Sequence, residues 1–243
     1  MKASCPSRAG GYKQNNTLDG GKELSQLKSF TFASARPLPV ILLLDTSGSM
    51  KGGKIDSLNL AASDMIKKFA KEDDSEVEIQ VAIITFGGED AKLHQDLVPA
   101  SKCEWHNLIP FGKTPMGAAF DMARELIENR DKIPKRDYIP TIILLSDGIP
   151  TDGERWKSAL SGLLQSPRAA KAARYAISIG GDTNFEVLNA FLEGTGEKVR
   201  IQQPDKIGTF FNMVTMSVTS RSRSQNPNDT QIKPPSFDED ADY

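Results

Sequence analysis

The 243-residue sequence predicts an α/β domain built on a doubly wound, mostly parallel sheet, with one antiparallel edge strand and helices on both faces. Three observations carry this reading. Val40–Leu44 and Thr141–Leu145 are apolar throughout, as strands covered on both faces must be, whereas half-exposed strands alternate. Between such runs lie stretches with apolar residues every three or four positions, the period of an amphipathic helix. Gly87-Gly88 separates two strand-like runs by a tight turn, which signals an antiparallel pair.

The elements follow in order. Residues 1–36 are rich in Gly, Ser, Asn and Lys and read as a flexible N-terminal arm, with strand character only near Ser29–Ala33. Arg36-Pro-Leu-Pro39 marks a boundary, because proline restricts both itself and its predecessor. The domain spans 37–220. Val40–Leu44 is its first strand, and Lys54–Lys71 a helix with Ile55, Leu58, Ala62, Met65, Ile66 and Phe69 on one face. Val77–Phe86 and Leu93–Val98 form the antiparallel pair. A helix over Pro115–Asn129 precedes the strand Thr141–Leu145, and a helix from Glu154 to Leu164 follows it. Tyr175–Ile179, a short helix over Phe185–Leu192, a short strand at Val199–Ile201 and a closing helix over Pro204–Val218 complete the domain. Residues 221–243 carry few large apolar side chains and end in Phe237-Asp-Glu-Asp-Ala-Asp-Tyr243, so a disordered acidic tail is expected.

Composition narrows the function classes. A 38% apolar and 26% charged chain is of ordinary soluble character. A net charge of −2 gives no electrostatic case for nucleic acid or an anionic membrane surface. Cys5 and Cys103 are too few for a disulfide framework. No run is long enough to span a membrane, and the first 35 residues lack the apolar region of a secretion signal. A cytoplasmic protein is expected.

Chemistry concentrates where strands end. Asp45-Thr-Ser-Gly-Ser49 follows the first strand, and Ser146-Asp147-Gly148 follows Thr141–Leu145. Carboxylates at the ends of two buried strands converge only if those strands are neighbours, the arrangement at a topological switch point. Packed together they repel, and a dication between them removes that cost. Gly112-Lys-Thr114-Pro115 adds a third loop, with Pro115 at the first helical position and Thr114 at or beside the N-cap. Asp45, Ser47, Ser49, Thr114 and Asp147 are hard oxygen donors suited to Mg²⁺, with Mn²⁺ as a substitute.

These residues resemble the metal-ion-dependent adhesion site of the von Willebrand factor A (VWA) domains, whose pattern is Asp-x-Ser-x-Ser, a distant Thr and a distant Asp. The resemblance extends over about Leu38 to Ser220. Within the family, Asp-Thr-Ser-Gly-Ser-Met, Lys-Thr-Pro-Met-Gly and Ser-Asp-Gly-x-Pro-Thr-Asp look most like the intracellular bacterial proteins of the tellurite-resistance-associated TerY type. The resemblance implies that Ser47 and Ser49 ligate the metal directly, and that Asp45, Asp147 and Thr114 act directly or through water. It implies an open coordination position for a carboxylate of a partner protein, with a protein kinase and a metal-dependent phosphatase as associated proteins. It also suggests that shifts of the Thr114 loop couple to the closing helix. A protein-binding module and not an enzyme is expected, with no small-molecule substrate. The alternatives are a metal-dependent phosphohydrolase and a scaffold subunit of an AAA+ ATPase machine.

Simpler readings stand beside these. Asp45 and its serines alone would serve as a strand-end turn with a cap. Gly48-Ser-Met-Lys-Gly-Gly53-Lys54 fits a phosphate-binding loop, but Ile55 stands where that loop needs Ser or Thr. His94, Cys103 and His106 lack a second close pair for zinc. Asp152 reads as the cap of the helix that follows it, and Trp105 and Trp156 as interface anchors or loop packing. The acidic tail Asp238–Asp242 offers carboxylates that reach the metal position if the tether allows.

Overall fold

The computed structural model describes residues 35–72, 77–179, 185–194, 198–201 and 206–229. The expectations for the arm before residue 35 and for the tail from residue 230, including Asp238–Asp242 as a metal ligand, lie outside the described residues.

Six strands form one sheet. In chain order the elements are β1 (Arg36–Asp45), α1 (Gly53–Lys71), β2 (Val77–Gly87), β3 (Asp90–Pro99), α2 (Met116–Glu128), β4 (Thr141–Ser146), α3 (Arg155–Gln165), β5 (Ala173–Ile179), α4 (Phe185–Phe191), β6 (Lys198–Ile201) and α5 (Ile207–Ser222). The strand order is β3-β2-β1-β4-β5-β6. All neighbours are parallel except β2 and β3, which form the expected antiparallel edge. The chain winds outward from β1 in one direction and then from β4 in the other, so the switch point falls between these two strands.

β1 starts four residues earlier than the apolar run suggested, and it accommodates Pro37 and Pro39. Tyr138 N–H donates to Pro37 O, which puts the odd-numbered residues of this segment on the β4 side. β4 pairs with β1 only from Val40 onward. The two prolines therefore withhold N–H groups where no ladder exists to receive them.

Alternation along β1 divides the core. Leu38, Val40, Leu42 and Leu44 pack under α1 and α5, together with Phe69, Phe210, Phe211 and Val214. Ile41 and Leu43 pack on the other face with Phe120, Ile127, Leu160 and Phe191 of α2, α3 and α4. Every one of these side chains is almost wholly buried, and each contributes about 1.5–3 kcal/mol of transfer free energy. The strand that delivers Asp45 is thus fixed from both sides.

The expected tail boundary after residue 220 differs from the structure. Arg221 is fully buried. Its guanidinium donates to Thr141 Oγ1 at 2.6 Å, Ile139 O at 3.0 Å and Pro227 O at 2.9 Å. A lone arginine inside a Ser-rich run looks solvated, yet it satisfies the carbonyls where β4 begins and holds the chain past α5 against the sheet. Trp156 is buried in the α2–α4 layer, and Trp105 packs against the α1–α5 layer. Trp156 thus serves packing, whereas Trp105 packs with part of its surface still exposed.

Candidate metal centre

β1 and β4 end side by side, and their last residues set the site. Leu44 pairs with Leu145. One residue further, the Ser146 hydroxyl donates to Asp45 Oδ2. Asp45 is completely buried, and its Oδ1 accepts the Ser47 N–H at 2.7 Å. Burial pushes its carboxyl up to about 6; the Ser146 and Ser47 hydrogen bonds pull it down, and nearby Asp147 adds to the rise.

The turn after β1 brings the serines together. Ser47 and Ser49 hydroxyls share a hydrogen bond of 2.9 Å, and Ser49 Oγ donates to Asp147 Oδ1 at 2.7 Å. Ser47 is buried, whereas Ser49 is exposed. The remaining Asp147 oxygen, Oδ2, holds the Lys54 ammonium. Lys54 lies in the first turn of α1.

Backbone contacts fasten the third loop to the first. Gly48 N–H donates to Gly112 O, Phe111 N–H to Thr46 O and Gly88 N–H to Phe111 O, each at 2.8–2.9 Å. The approach requires glycine: a Cβ on Gly112, at φ +68°, would lie 2.4 Å from Gly88 Cα. Thr114 is held by its backbone, its N–H donating to Thr151 Oγ1 at 2.9 Å while its carbonyl accepts from Met116 and Thr151.

Thr114 stands beside the N-cap of α2, within the expectation, but Pro115 is not the first helical residue. Pro115 occupies the N-cap place and α2 starts at Met116. The cap comes from elsewhere: Asp152 Oδ2 accepts the Gly117 N–H at 2.7 Å. Asp152 was expected to cap its own following helix, but its side chain crosses to α2 because that helix start has a proline and no donor-accepting side chain of its own. Thr114 is buried.

One point in space summarises the convergence. A Cβ built on Gly148 would lie 3.4 Å from Thr114 Oγ1, 3.8 Å from Ser49 Oγ and 3.9 Å from Asp45 Oδ2. Oxygens from two loops thus border one spot beside Gly148, which lies on the third. Ser47 and Asp147 join through the Ser49 hydroxyl. All five expected residues are brought together, in a donor set of two carboxylates and three hydroxyls that fits a hard divalent cation. Among the described residues, no group of three or more His, Cys, Asp or Glu side chains is arranged to hold a metal, so His94, Cys103 and His106 do not form one.

Several known proteins resemble this chain in sequence or fold. Residues 40–149, which include all five, match the family model of the von Willebrand factor type A domain. The fold resembles the von Willebrand factor type A protein from Catenulispora acidiphila with a TM-score of 0.59, at 20% identity over 75% of this chain and 43% of that one. The fold is that of a VWA domain. It also resembles proximal thread matrix protein 1 from the mussel byssus, described with a zinc-occupied MIDAS motif, with a TM-score of 0.56 at 16% identity over 76% of this chain and 46% of that one. Among curated proteins, inter-alpha-trypsin inhibitor heavy chain H4 of Sus scrofa is 29% identical over 195 residues, 75% of this chain and 20% of that protein. The Homo sapiens H4 chain is 30% identical over 166 residues, 65% of this chain and 17% of that protein. The chain spans about a fifth of the length of these curated relatives.

Sequence reasoning missed three contributors to this site. Ser146 follows from register, since it lies one step past the Leu44–Leu145 pair and so meets Asp45. Lys54 looked like a phosphate-loop lysine. Thr151, which positions Thr114, lies inside the Ser-Asp-Gly-x-Pro-Thr-Asp motif, but the motif does not say that its hydroxyl accepts the Thr114 N–H.

Proposed function

We propose that Asp45, Ser47, Ser49, Thr114 and Asp147 form a metal-ion-dependent adhesion site for one divalent cation, Mg²⁺ with Mn²⁺ as substitute, that binds a carboxylate of a partner protein. The observation that carries this is the Thr114, Ser49 and Asp45 oxygens around the open position at Gly148. A bound dication supplies Lewis acidity toward an outside carboxylate. The chain's own residues do the rest: Ser47 and Ser49 present hydroxyls, Asp45 and Asp147 supply charge, and the Gly88–Gly112 contact keeps Thr114 in place. With only two carboxylates, each already hydrogen-bonded, the site stays short of negative charge, which favours an anionic ligand from outside. The zinc-occupied motif in the mussel protein supports a divalent cation as occupant.

The surrounding surface suits a protein partner. Ile109, Phe111 and Ile149 are exposed large apolar side chains on the loops that carry Thr114 and Asp147, and such side chains beside a polar anchor favour protein contacts. Catalysis fits less well: two carboxylates are too few for a two-metal phosphohydrolase, and Lys54 faces Asp147 and not a phosphate position. No helix of the described residues is long and apolar enough to cross a membrane.

The finer assignment is a cytoplasmic TerY-like protein acting with a kinase and a metal-dependent phosphatase, and it rests on motif resemblance alone. A scaffold role in an ATPase machine differs from it only in the partner. Both are separated by capture from the native host with Mg²⁺ and then with EDTA, using wild type and Asp45→Ala. The reading expects partners retained by wild type in Mg²⁺ alone. Equal capture in EDTA, or phosphate-ester hydrolysis lost with Asp45→Ala, overturns it.

A further inference from the structure

We infer that Lys54 is a tethered counter-cation that shares Asp147 with the divalent cation and so lowers the affinity of the site for metal. The inference rests on the proposed adhesion site and concerns what sets its occupancy.

The Asp147 side chain is fully shielded from solvent, and the Lys54 ammonium on Oδ2 is its charge partner. Its other oxygen already accepts the Ser49 hydroxyl. Both Asp45 oxygens are engaged as well, by Ser47 N–H and Ser146 Oγ. A dication entering the cradle therefore meets an Asp147 whose charge is already half of an ion pair. It must either share that carboxylate with an ammonium of like sign or displace it. Either course weakens binding relative to a site with a free carboxylate.

Displacement has a path. Lys54 is 29% exposed and stands on the first turn of α1. Part of the side chain already borders solvent, which gives the ammonium a way out of the cradle. The lysine that imitates a phosphate loop in the sequence thus acts on a carboxylate. It keeps a buried charge compensated when no metal is bound.

The test measures Mn²⁺ affinity by calorimetry and thermal unfolding midpoints with EDTA or Mn²⁺ for wild type, Lys54→Gln and Lys54→Arg. The expected result is at least tenfold tighter Mn²⁺ binding by Lys54→Gln, with Lys54→Arg close to wild type. In EDTA, Lys54→Gln should unfold at a lower temperature than wild type, and its midpoint should rise more on adding Mn²⁺. Equal or weaker Mn²⁺ binding by Lys54→Gln overturns the inference, because the lysine would then be positioning Asp147 for the metal. If wild type and both variants bind no Mn²⁺, the adhesion-site reading fails and takes this inference with it.

Discussion

Ser146 Oγ donates to Asp45 Oδ2 across the boundary between β1 and β4, so the carboxylate at the switch point is tuned by the neighbouring strand. Asp45 ionises near 6 instead of 3.8 because burial outweighs its hydrogen bonds. Between those values the folded protein keeps a proton that the unfolded chain has released. Stability of the metal-free protein therefore falls as pH rises through this window, by as much as about 3 kcal/mol, and levels off above it. Metal binding needs the ionised form, so Mn²⁺ affinity should rise over the same window. Ser146→Ala removes a bond that lowers the Asp45 pKa and should move the midpoint of that rise to higher pH. Mn²⁺ titrations from pH 5 to 8 check this; an unchanged or lower midpoint contradicts it.

Gly112→Ala places a methyl group against the Gly88 backbone at a positive φ. The expected cost is about 3 kcal/mol or more, with weaker metal binding because Thr114 lies two residues on. Gly53→Ala, which meets open space at the start of α1, should be neutral or stabilising by up to about 1 kcal/mol. Chemical denaturation of the two variants distinguishes a required glycine from a tolerated one.

Asp152→Ala removes the acceptor for Gly117 N–H at the start of α2. Loss of a cap costs about 1–2 kcal/mol, and Asp152→Asn should recover most of it. Because α2 follows Thr114 directly, hydrogen exchange at the amides of its first turn should accelerate in the alanine variant.

Arg221→Met leaves the carbonyls of Ile139 and Pro227 and the Thr141 hydroxyl without their donor. About 3 kcal/mol of stability should be lost. Truncation after residue 229 keeps these contacts, whereas truncation after 220 removes them. Comparing the unfolding of both truncations therefore separates a packing role for 221–229 from any role of the acidic residues beyond. A tail that occupies the metal position would change Mn²⁺ affinity in the shorter deletion as well.

The fold was largely legible because continuous apolar strands and helical spacing are local signals. The pairing of β1 with β4 followed from needing Asp45 and Asp147 together, and parallel β2–β1–β4–β5 neighbours with an antiparallel β3 match that expectation. What escaped were contacts between residues distant in sequence. Asp152 caps α2 instead of its own helix, and Arg221 looked like part of a solvated run. Lys54 matched a phosphate-loop pattern because Gly and Lys spacing does not say which partner the ammonium will meet. Thr114 was expected at or beside the N-cap and stands beside it, directly before Pro115; what escaped was the Thr151 hydroxyl that holds its backbone.

The most direct measurement is calorimetric titration of Mg²⁺ and Mn²⁺ into wild type and Asp45→Ala at neutral pH, with folding of both checked by circular dichroism. One divalent cation should bind per wild-type chain and none to a folded Asp45→Ala. No binding by wild type, or undiminished binding by Asp45→Ala, would contradict a metal site at the β1–β4 switch point.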